Sequence, residues 1–485
     1  MNPQVIRATI RINIALSLSA FFGMPSLAPA ISIEPQIGKG ASGLNYVLFE
    51  DQKRPLFEVN LIFKFGTADD PKGKSGTAHL LSRILDRGTR GLSQSAFHSQ
   101  LERLGARWVT LVEEDYFSVS MKGFSNHIEE LSILFIECVF YPRFDAEEFL
   151  TQKERVVEQY HLLVTQPNAW FAWLFERWSK QGTRYHRGPL AGLKEFQKIS
   201  LQDLEDYASY ALNPKHALLL AVGKISAPEL LRIYKNLLTH WPKPKDQENA
   251  VAKFAPPREF TTPYIQQLSN HDHDILIFDR KDTSHSEIRR SFNLKQISWK
   301  ERAAISIVET LLSGTFNSRL NKRLRDELGL VYQVGVSLEG AVSDAQIQFE
   351  AGTQAIHAGV VLQESDQIFA EIAKKGPRID EVEFSKQFLL GSFPIGLASL
   401  SGVAVRYASG WLYGNPLGFL DQYLEFVRGF DTYEVSKIIK PILSKHKFKT
   451  AIFGNADLLK RSLAARGYSR VFIVDAAAIA KHGEF

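Results

Sequence analysis

The sequence feature that most constrains the fold is an internal repeat, because the chain contains the same order of strand-like and helical segments twice. In each copy, two apolar strand-like runs lead to a pair of helical segments and two further strands. Several helices then precede a last strand and a last helix. The first copy has its leading strands at residues 44–49 and 57–65, and the second has them at 275–278 and 287–294. The repeat predicts an α+β fold with two homologous mixed α/β domains of about 200 residues each.

A proline-rich segment separates the two copies. Residues 241–260 read WPKPKDQENAVAKFAPPREF, which contains four prolines and several charges and has no sustained apolar period. Such a composition is typical of a linker rather than of a helix or a strand. We therefore predict an N-terminal domain at residues 31–242, a linker at 243–260 and a C-terminal domain at 261–475.

The first thirty residues have the composition of a secretory signal peptide. Arg7 and Arg11 are their only charged residues, the run 12–24 is largely apolar, and small residues precede a cleavage point after Ala30. We therefore expect residues 1–30 to be removed and the protein to be exported, with a periplasmic location. An N-terminal membrane anchor is the alternative, although the apolar run is shorter than the ~20 residues that span a bilayer. We expect no membrane span after cleavage.

Charge and cysteine content exclude several classes of function. The formal net charge is +5, and the charges are scattered along the chain, so we expect no nucleic-acid partner. The chain contains no glycine-rich phosphate loop of the usual spacing, so nucleotide chemistry has no support. Cys138 is the only cysteine and continues an apolar helical stripe, which predicts a core position rather than a disulfide or a metal ligand.

Residues 76–85 read GTAHLLSRIL and resemble the G-x-A-H-x-x-E-H-x-L helix of the M16 (insulinase/pitrilysin-like) peptidases. In that motif two histidines four residues apart bind one zinc ion, and the glutamate acts as base on the zinc-bound water. Here only His79 remains, because Ser82 stands at the glutamate position and Arg83 at the second histidine position. A hydroxyl is no base near neutral pH, and a guanidinium has no lone pair to donate and repels a metal cation.

The third ligand of the family is a glutamate on a later helix. Residues 152–160 read QKERVVEQY, which places Gln159 at the ligand position, and a slip of one residue would place Glu158 there instead. A metal site of another kind around His79 is the alternative, but zinc needs at least three protein ligands. We therefore predict a degenerate zinc motif formed by His79, Ser82, Arg83 and Gln159. The chain is expected to hold no metal or other cofactor, with zinc expected in a partner subunit.

The second copy keeps another M16 signature. Residues 313–337 read SGTFNSRLNKRLRDELGLVYQVGVS and resemble the pattern G-G-x-x-S-R-L-x-x-x-L-R-E-x-x-G-L-x-Y-x-V. The resemblance implies that Arg325 and Tyr332 take part in catalysis, with Arg325 binding the substrate backbone and Tyr332 stabilising the oxyanion. Outside this pattern, Arg325 would be a solvated helix charge and Tyr332 a half-buried strand residue. On the same helix we interpret Arg319 as structural and Arg323 as solvated.

One cluster of aromatic residues stays ambiguous. Its members stand at helical spacing and are Trp170, Phe171, Trp173, Phe175 and Trp178. Such a stripe is most simply core, but it could also form the floor of a peptide chamber.

The resemblance implies a division of labour between two half-length M16 chains. One M16 subfamily places H-x-x-E-H on one subunit and the arginine and tyrosine on the other, and this chain has the second set. We therefore expect a substrate-binding subunit that is inactive alone and completes a heteromeric peptidase with an H-x-x-E-H homologue. Its substrates would be extended peptides that add a strand to a sheet edge. One alternative is a structural or assembly subunit, a role similar to that of the core proteins of the respiratory bc1 complex. Another alternative is a protein that captures peptides without cutting them.

Overall fold

The computed structural model describes residues 35–39, 44–186, 192–241, 274–340, 342–414 and 419–475. The predicted signal peptide and the predicted linker lie outside the described residues, so both stay predictions. Within the described ranges, the strands form two six-stranded sheets, one in each half of the chain. This architecture confirms the predicted pair of mixed α/β units.

The first sheet has the strand order β1-β2-β6-β3-β5-β4. Its strands are β1 (Gln36–Lys39), β2 (Asn45–Glu50), β3 (Leu56–Phe63), β4 (Arg107–Val112), β5 (Phe117–Phe124) and β6 (Ala217–Gly223). Only β2 and β6 pair in parallel. Strand β6 reads ALLLAVG and is buried along its whole length. Both of its faces are apolar because helices cover both sides of the sheet at its centre.

The second sheet has the strand order β12-β7-β11-β8-β10-β9. Its strands are β7 (Ile275–Asp279), β8 (His285–Lys295), β9 (Val331–Gly340), β10 (Asp344–Gln354), β11 (Lys449–Gly454) and β12 (Val471–Asp475). Strands β2 to β6 of the first sheet have counterparts here in the same spatial order. The sixth strand differs, since β1 joins its sheet antiparallel whereas β12 joins in parallel. Neither of these edge strands was predicted from the sequence.

Helices flank the two sheets. Those of the first half are α1 (Thr77–Ile84), α2 (Gln94–Arg103), α3 (Ile128–Phe140), α4 (Ala146–Thr165), α5 (Pro167–Ser179), α6 (Leu193–Phe196), α7 (Leu201–Ala211) and α8 (Ala227–His240). Those of the second half are α9 (Trp299–Glu309), α10 (Ala358–Lys375), α11 (Ile379–Gly396), α12 (Leu400–Leu412), α13 (Phe419–Gly429), α14 (Thr432–Lys445) and α15 (Ala456–Ala464). Among these helices none alone has both the length and the apolar composition of a membrane span. The bent pair α11 and α12, which meet at 119°, satisfies those two criteria only together.

Local sequence explains where many of the helices begin. Ser200, Ser226 and Ser298 each form a capping box with the acidic residue three positions later. Each box satisfies backbone N–H groups that the first turn of a helix leaves without partners. Cys138 is buried in α3, which confirms its predicted core position.

No helix was predicted from the sequence between α11 and α14. Helix α12 was missed because Gly402 and Gly410 interrupt the apolar period and lower the helix propensity. Earlier in this half, α9 ends at Glu309 and a π-helical turn, Thr310–Gly314, follows it.

Each half contributes one helix to the core of the other half. The aromatic helix α5 packs on the second sheet, where Phe171 stacks on Phe453 and meets Phe278 edge to face. In return α12 packs on the first sheet, where Tyr407 contacts Phe49. The aromatic stripe of α5 is therefore core rather than a chamber floor. The exchange ties the two halves into one folded body.

A polar network also joins the halves. The Asp115 carboxylate, between β4 and β5, accepts hydrogen bonds from the Tyr185 hydroxyl at 3.0 Å and from the Val342 backbone N–H at 2.6 Å. The Tyr185 hydroxyl lies 2.9 Å from the hydroxyl of Ser343 and accepts from its backbone N–H at 3.0 Å. Because Val342 and Ser343 lie between β9 and β10, equivalent hairpins of the two halves meet at Tyr185.

Candidate functional site

Helix α1 carries the degenerate motif, and a buried carboxylate fixes its start. Asp70 accepts hydrogen bonds from the backbone N–H groups of Gly76 at 2.6 Å and Ala78 at 2.8 Å. Gly76 has a φ of 95°, a left-handed conformation that favours glycine. A negative charge at a helix N-terminus is favourable because it complements the helix dipole. The first turn is thereby fixed, and His79, Ser82 and Arg83 lie on partly exposed positions of α1.

The structure brings three of the predicted motif residues together. The Arg83 side chain donates from Nε to His79 Nε2 at 3.2 Å and from Nη2 to Gln159 Oε1 at 2.7 Å. Gln159 belongs to α4, so the guanidinium links α1 to α4. Ser82 does not take part, because its hydroxyl donates to the His79 carbonyl at 2.7 Å within α1.

The charge of Arg83 and the burial of the ring decide the ionisation of His79. Burial lowers the pKa of His79 to about 4, and the neighbouring Arg83 charge lowers it further in the same direction. Neutral His79 can therefore accept the hydrogen bond from Arg83 Nε near neutral pH. Burial and the charges of Arg87 and Arg155 lower the pKa of Arg83 as well, but a guanidinium stays protonated.

These residues do not fit a zinc ion. The one histidine ligand is engaged by a cation, a guanidinium stands where zinc would need the second imidazole, and an amide oxygen stands where it would need a carboxylate. Glu158, the alternative third ligand, is exposed, whereas Gln159 is the residue that faces Arg83. Among the described residues, no group of three or more histidine, cysteine, aspartate or glutamate side chains is arranged to hold a metal. The guanidinium occupies the place between the two remaining motif side chains.

The second half presents a different site at its surface. Arg325 lies in a π-helical segment, Asn321–Glu327, and its Cζ lies 5.3 Å from the Phe316 ring centre and 5.9 Å from that of Tyr332. Tyr332 is 88% exposed and Phe316 is 60% exposed. π-Helical turns often occur at functional sites. The cation and the two exposed rings form one cluster, which we call the Arg325 cluster.

Hydrogen bonding distinguishes Arg325 from the neighbouring arginines Arg319 and Arg323. Arg319 donates to both carboxylate oxygens of Glu381 at 2.7 Å, and Arg323 pairs with Glu364 at 2.7 Å and Glu327 at 3.0 Å. Arg319 is therefore structural, as interpreted from the sequence. Arg323 is half-exposed and paired with two glutamates rather than simply solvated.

No hydrogen bond from the described part of the chain engages the Arg325 guanidinium or the Tyr332 hydroxyl. Both groups keep their hydrogen-bonding capacity for a ligand. Phe316 completes the cluster and was not predicted from the sequence. Its position in the turn before Ser318 carries no periodicity that would have marked it.

The Arg325 cluster lies at an edge of the second sheet, and helix α1 contacts an edge strand of the first. Tyr332 lies at the start of β9, which is an edge strand of the second sheet, and β4 is the corresponding edge of the first. On β4, Val109 and Leu111 are exposed. Edge strands offer unpaired backbone groups that an extended peptide can use.

Comparison with known proteins identifies the family. Residues 46–184 match the family model described as Insulinase (Peptidase family M16), and residues 198–389 match the one described as Peptidase M16 inactive domain. The chain is 23% identical over 417 residues to the Non-peptidase homolog YmxG of Helicobacter pylori, covering 84% of this chain and 90% of that protein. It is 22% identical over 381 residues to the Zinc protease PqqE of the same organism, covering 78% of this chain and 83% of that protein.

A solved structure shares the fold. The crystal structure of a protease from Helicobacter pylori superposes with a TM-score of 0.74 at 19% sequence identity, covering 87% of this chain and 99% of that chain. The two family matches together cover more than half of the sequence. The chain therefore belongs to the M16 peptidase family.

Proposed function

We propose that this protein is the substrate-binding subunit of a two-chain M16 peptidase, in which a homologous partner carries the intact H-x-x-E-H motif. The partner would supply the activated water, and this chain would hold an extended peptide against it. Together the two chains would cleave one peptide bond by adding water across it, with a proton delivered to the departing amine. Arg325 and Tyr332 are the residues that this chain would contribute.

The observation that carries the proposal is that the Arg325 guanidinium and the Tyr332 hydroxyl are available to bind a ligand. A guanidinium and a phenol hydroxyl lie side by side at the surface without hydrogen-bond partners in the described chain, although the nearby Arg319 and Arg323 are paired. Arg325 offers several N–H donors to substrate carbonyl oxygens. The Tyr332 hydroxyl can donate to the oxyanion that develops on the attacked carbonyl, a contact whose loss typically costs about 10²- to 10³-fold in rate.

The degenerate motif supports a partner in the reaction. Arg83 occupies the centre of the motif in this chain, so the activated water has to come from another protein. Helicobacter pylori has relatives of this chain with both descriptions, a non-peptidase homolog and a zinc protease. That combination is the division of labour the proposal requires.

The test is cleavage of a mixture of unstructured peptides by the purified chain, alone and with an H-x-x-E-H homologue from the same organism. We expect cleavage by the mixture at a rate well above that of either protein alone. Tyr332→Phe and Arg325→Gln should each reduce the rate of the mixture by one to three orders of magnitude. Arg323→Gln is the matched control, because that arginine pairs with glutamates of its own chain. An unchanged rate in Tyr332→Phe would remove this residue from the mechanism.

A capture or scaffold role is the second candidate. The description of the Helicobacter pylori relative as a non-peptidase homolog favours it. Under this role, mixing with an H-x-x-E-H homologue would give no gain in cleavage, while peptides would still bind if the chain captures them. The predicted signal peptide leads us to propose, for either role, that the protein works outside the cytoplasm.

A further inference from the structure

Two hydrogen bonds hold the Arg83 guanidinium in place, but they occupy only part of its N–H groups. Its Nε and Nη2 atoms, which form one edge of the guanidinium, bind His79 and Gln159. Nη1 and the second N–H of Nη2 form the other edge, which has no hydrogen-bond partner among the described residues. The side chain is partly exposed, so this edge can be reached from solvent. A guanidinium edge with two parallel N–H donors matches the two oxygens of a carboxylate.

The charges around Arg83 also favour an anion. Arg87 and Arg155 lie close enough for their charges to affect Arg83, and Asp86 is the carboxylate that opposes them. Asp86 is already engaged, since it pairs with Arg87 at 3.1 Å. Three cations and one anion leave an excess of positive charge at the position between α1 and α4.

Two side chains hold the guanidinium in a fixed orientation. Because the ring of His79 and the amide of Gln159 restrain Arg83, little side-chain entropy is lost when a ligand binds. Preorganised donors of this kind bind better than a flexible surface arginine. A purely structural bridge between α1 and α4 would need neither the free edge nor the surrounding arginines.

We propose that the degenerate zinc motif is a carboxylate-binding site, in which the free edge of Arg83 receives the carboxylate of a peptide ligand. This inference rests on the proposed role of the chain in binding peptides. The carboxylate can come from the C-terminus of the peptide or from an aspartate or glutamate side chain. The site would hold one carboxylate end of the peptide at a place where catalytic M16 chains hold zinc.

Fluorescence anisotropy with the full chain tests the proposal. Three N-terminally labelled peptides of one uncharged sequence serve as probes: one with a free C-terminal carboxylate, one amidated, and one amidated with an internal glutamate. We expect at least one carboxylate peptide to bind about tenfold more tightly than the neutral amide at low ionic strength. The peptide that gains affinity identifies the source of the carboxylate.

The variants locate the site. Arg83→Gln should abolish the preference for carboxylate, Arg83→Lys should keep part of it, and Arg323→Gln should leave it unchanged. Thermal unfolding of each variant checks that the fold is intact, and the comparison of peptides on the unchanged chain does not depend on any variant. Equal affinity for all three peptides, a preference that persists in Arg83→Gln, or no binding below about 1 mM would each overturn the proposal.

The outcome is separable from that of the proposed function. Partner-dependent cleavage that requires Tyr332 but treats acid and amide peptides alike would retain the peptidase role and reject the carboxylate site. Carboxylate-selective binding without any partner-dependent cleavage would retain the site and reject the peptidase role.

Discussion

The guanidinium of Arg83 donates a 2.7 Å hydrogen bond to the side-chain oxygen of Gln159, across the gap between α1 and α4. Its Nε donates at the same time to His79, the remaining histidine of the motif. The fixed cation of the protein thus contacts the two side chains that correspond to zinc ligands in catalytic relatives. The altered motif therefore keeps α1 and α4 connected through Arg83.

Restoring zinc binding should require changes at three positions. Ser82→Glu with Arg83→His recreates the motif on α1, but Gln159 then offers a neutral amide where zinc prefers a carboxylate. We expect little zinc in the unchanged chain and in the double variant, and a substantial fraction of one equivalent once Gln159→Glu is added. Metal analysis of the purified proteins measures this. A full equivalent in the unchanged chain that disappears in His79→Ala would contradict the degenerate site.

The low pKa of His79 should make the fold less stable in acid. The pKa is about 4 in the folded chain against an ordinary value of 6.5, so the unfolded chain binds the extra proton between these values. Stability from this residue is fully present above pH 6.5 and is lost as pH falls through about 4, with a total of about 3 kcal/mol. Denaturant unfolding of the unchanged chain and of His79→Gln at several pH values isolates the effect. In Arg83→Met, NMR titration should show a higher pKa for His79, because one of its two causes is removed.

Glu114 should have the opposite dependence. Its carboxylate lies 2.8 Å from Lys180, which also pairs with Glu176, and burial raises the pKa of Glu114 to about 7. Its stability contribution is therefore fully present below pH 4.5 and is lost as pH rises through about 7. Glu114→Gln cannot ionise, so the variant should gain about 2 kcal/mol relative to the unchanged chain between pH 5 and pH 8. A difference between the two proteins that is constant with pH would show that Glu114 stays ionised throughout.

Substitution of Tyr185 and of Tyr332 should distinguish a structural tyrosine from a functional one. Tyr185 is 3% exposed, and Tyr185→Phe leaves Ser343 and Asp115 without a shared partner, so we expect a loss of about 2 kcal/mol in unfolding free energy. Tyr332→Phe should change the unfolding free energy by less than about 0.5 kcal/mol, because its hydroxyl bonds nothing in the described chain. Chemical denaturation measures both. If Tyr332→Phe were destabilised, its lower activity would reflect loss of folded protein rather than loss of a catalytic group.

The exchange of helices should make the two halves unfold together. Phe171 is 1% exposed and packs against Phe278 and Phe453 of the second sheet. Phe171→Ala should cost about 3–5 kcal/mol and shift a single calorimetric transition rather than split it. Phe384, which is 49% exposed on α11, is the control, and Phe384→Ala should cost far less. Two separate transitions in the unchanged chain would contradict the single folded body.

Much of the fold could be predicted from local pattern. The leading strands of the two copies were predicted within two residues of the bounds that β2, β3, β7 and β8 have in the structure, since strand patterns are local in sequence. The predictions failed for β1 and β12, which are short edge strands defined by their pairing partner. They failed also for α12, whose glycines weaken the helical pattern and whose burial depends on the first sheet.

The sequence by itself determined the duplicated α+β unit, the loss of the H-x-x-E-H motif and the position of Arg325 and Tyr332 in a recognisable pattern. These properties depend on residue identity and spacing, which the chain displays directly. Only the tertiary structure decided that Gln159 rather than Glu158 faces the motif, that Arg83 binds His79, and that α5 belongs to the core of the other half. A one-residue rotation of a helix turns a side chain by about 100°, and partners far apart in sequence meet only when the helices and sheets pack together.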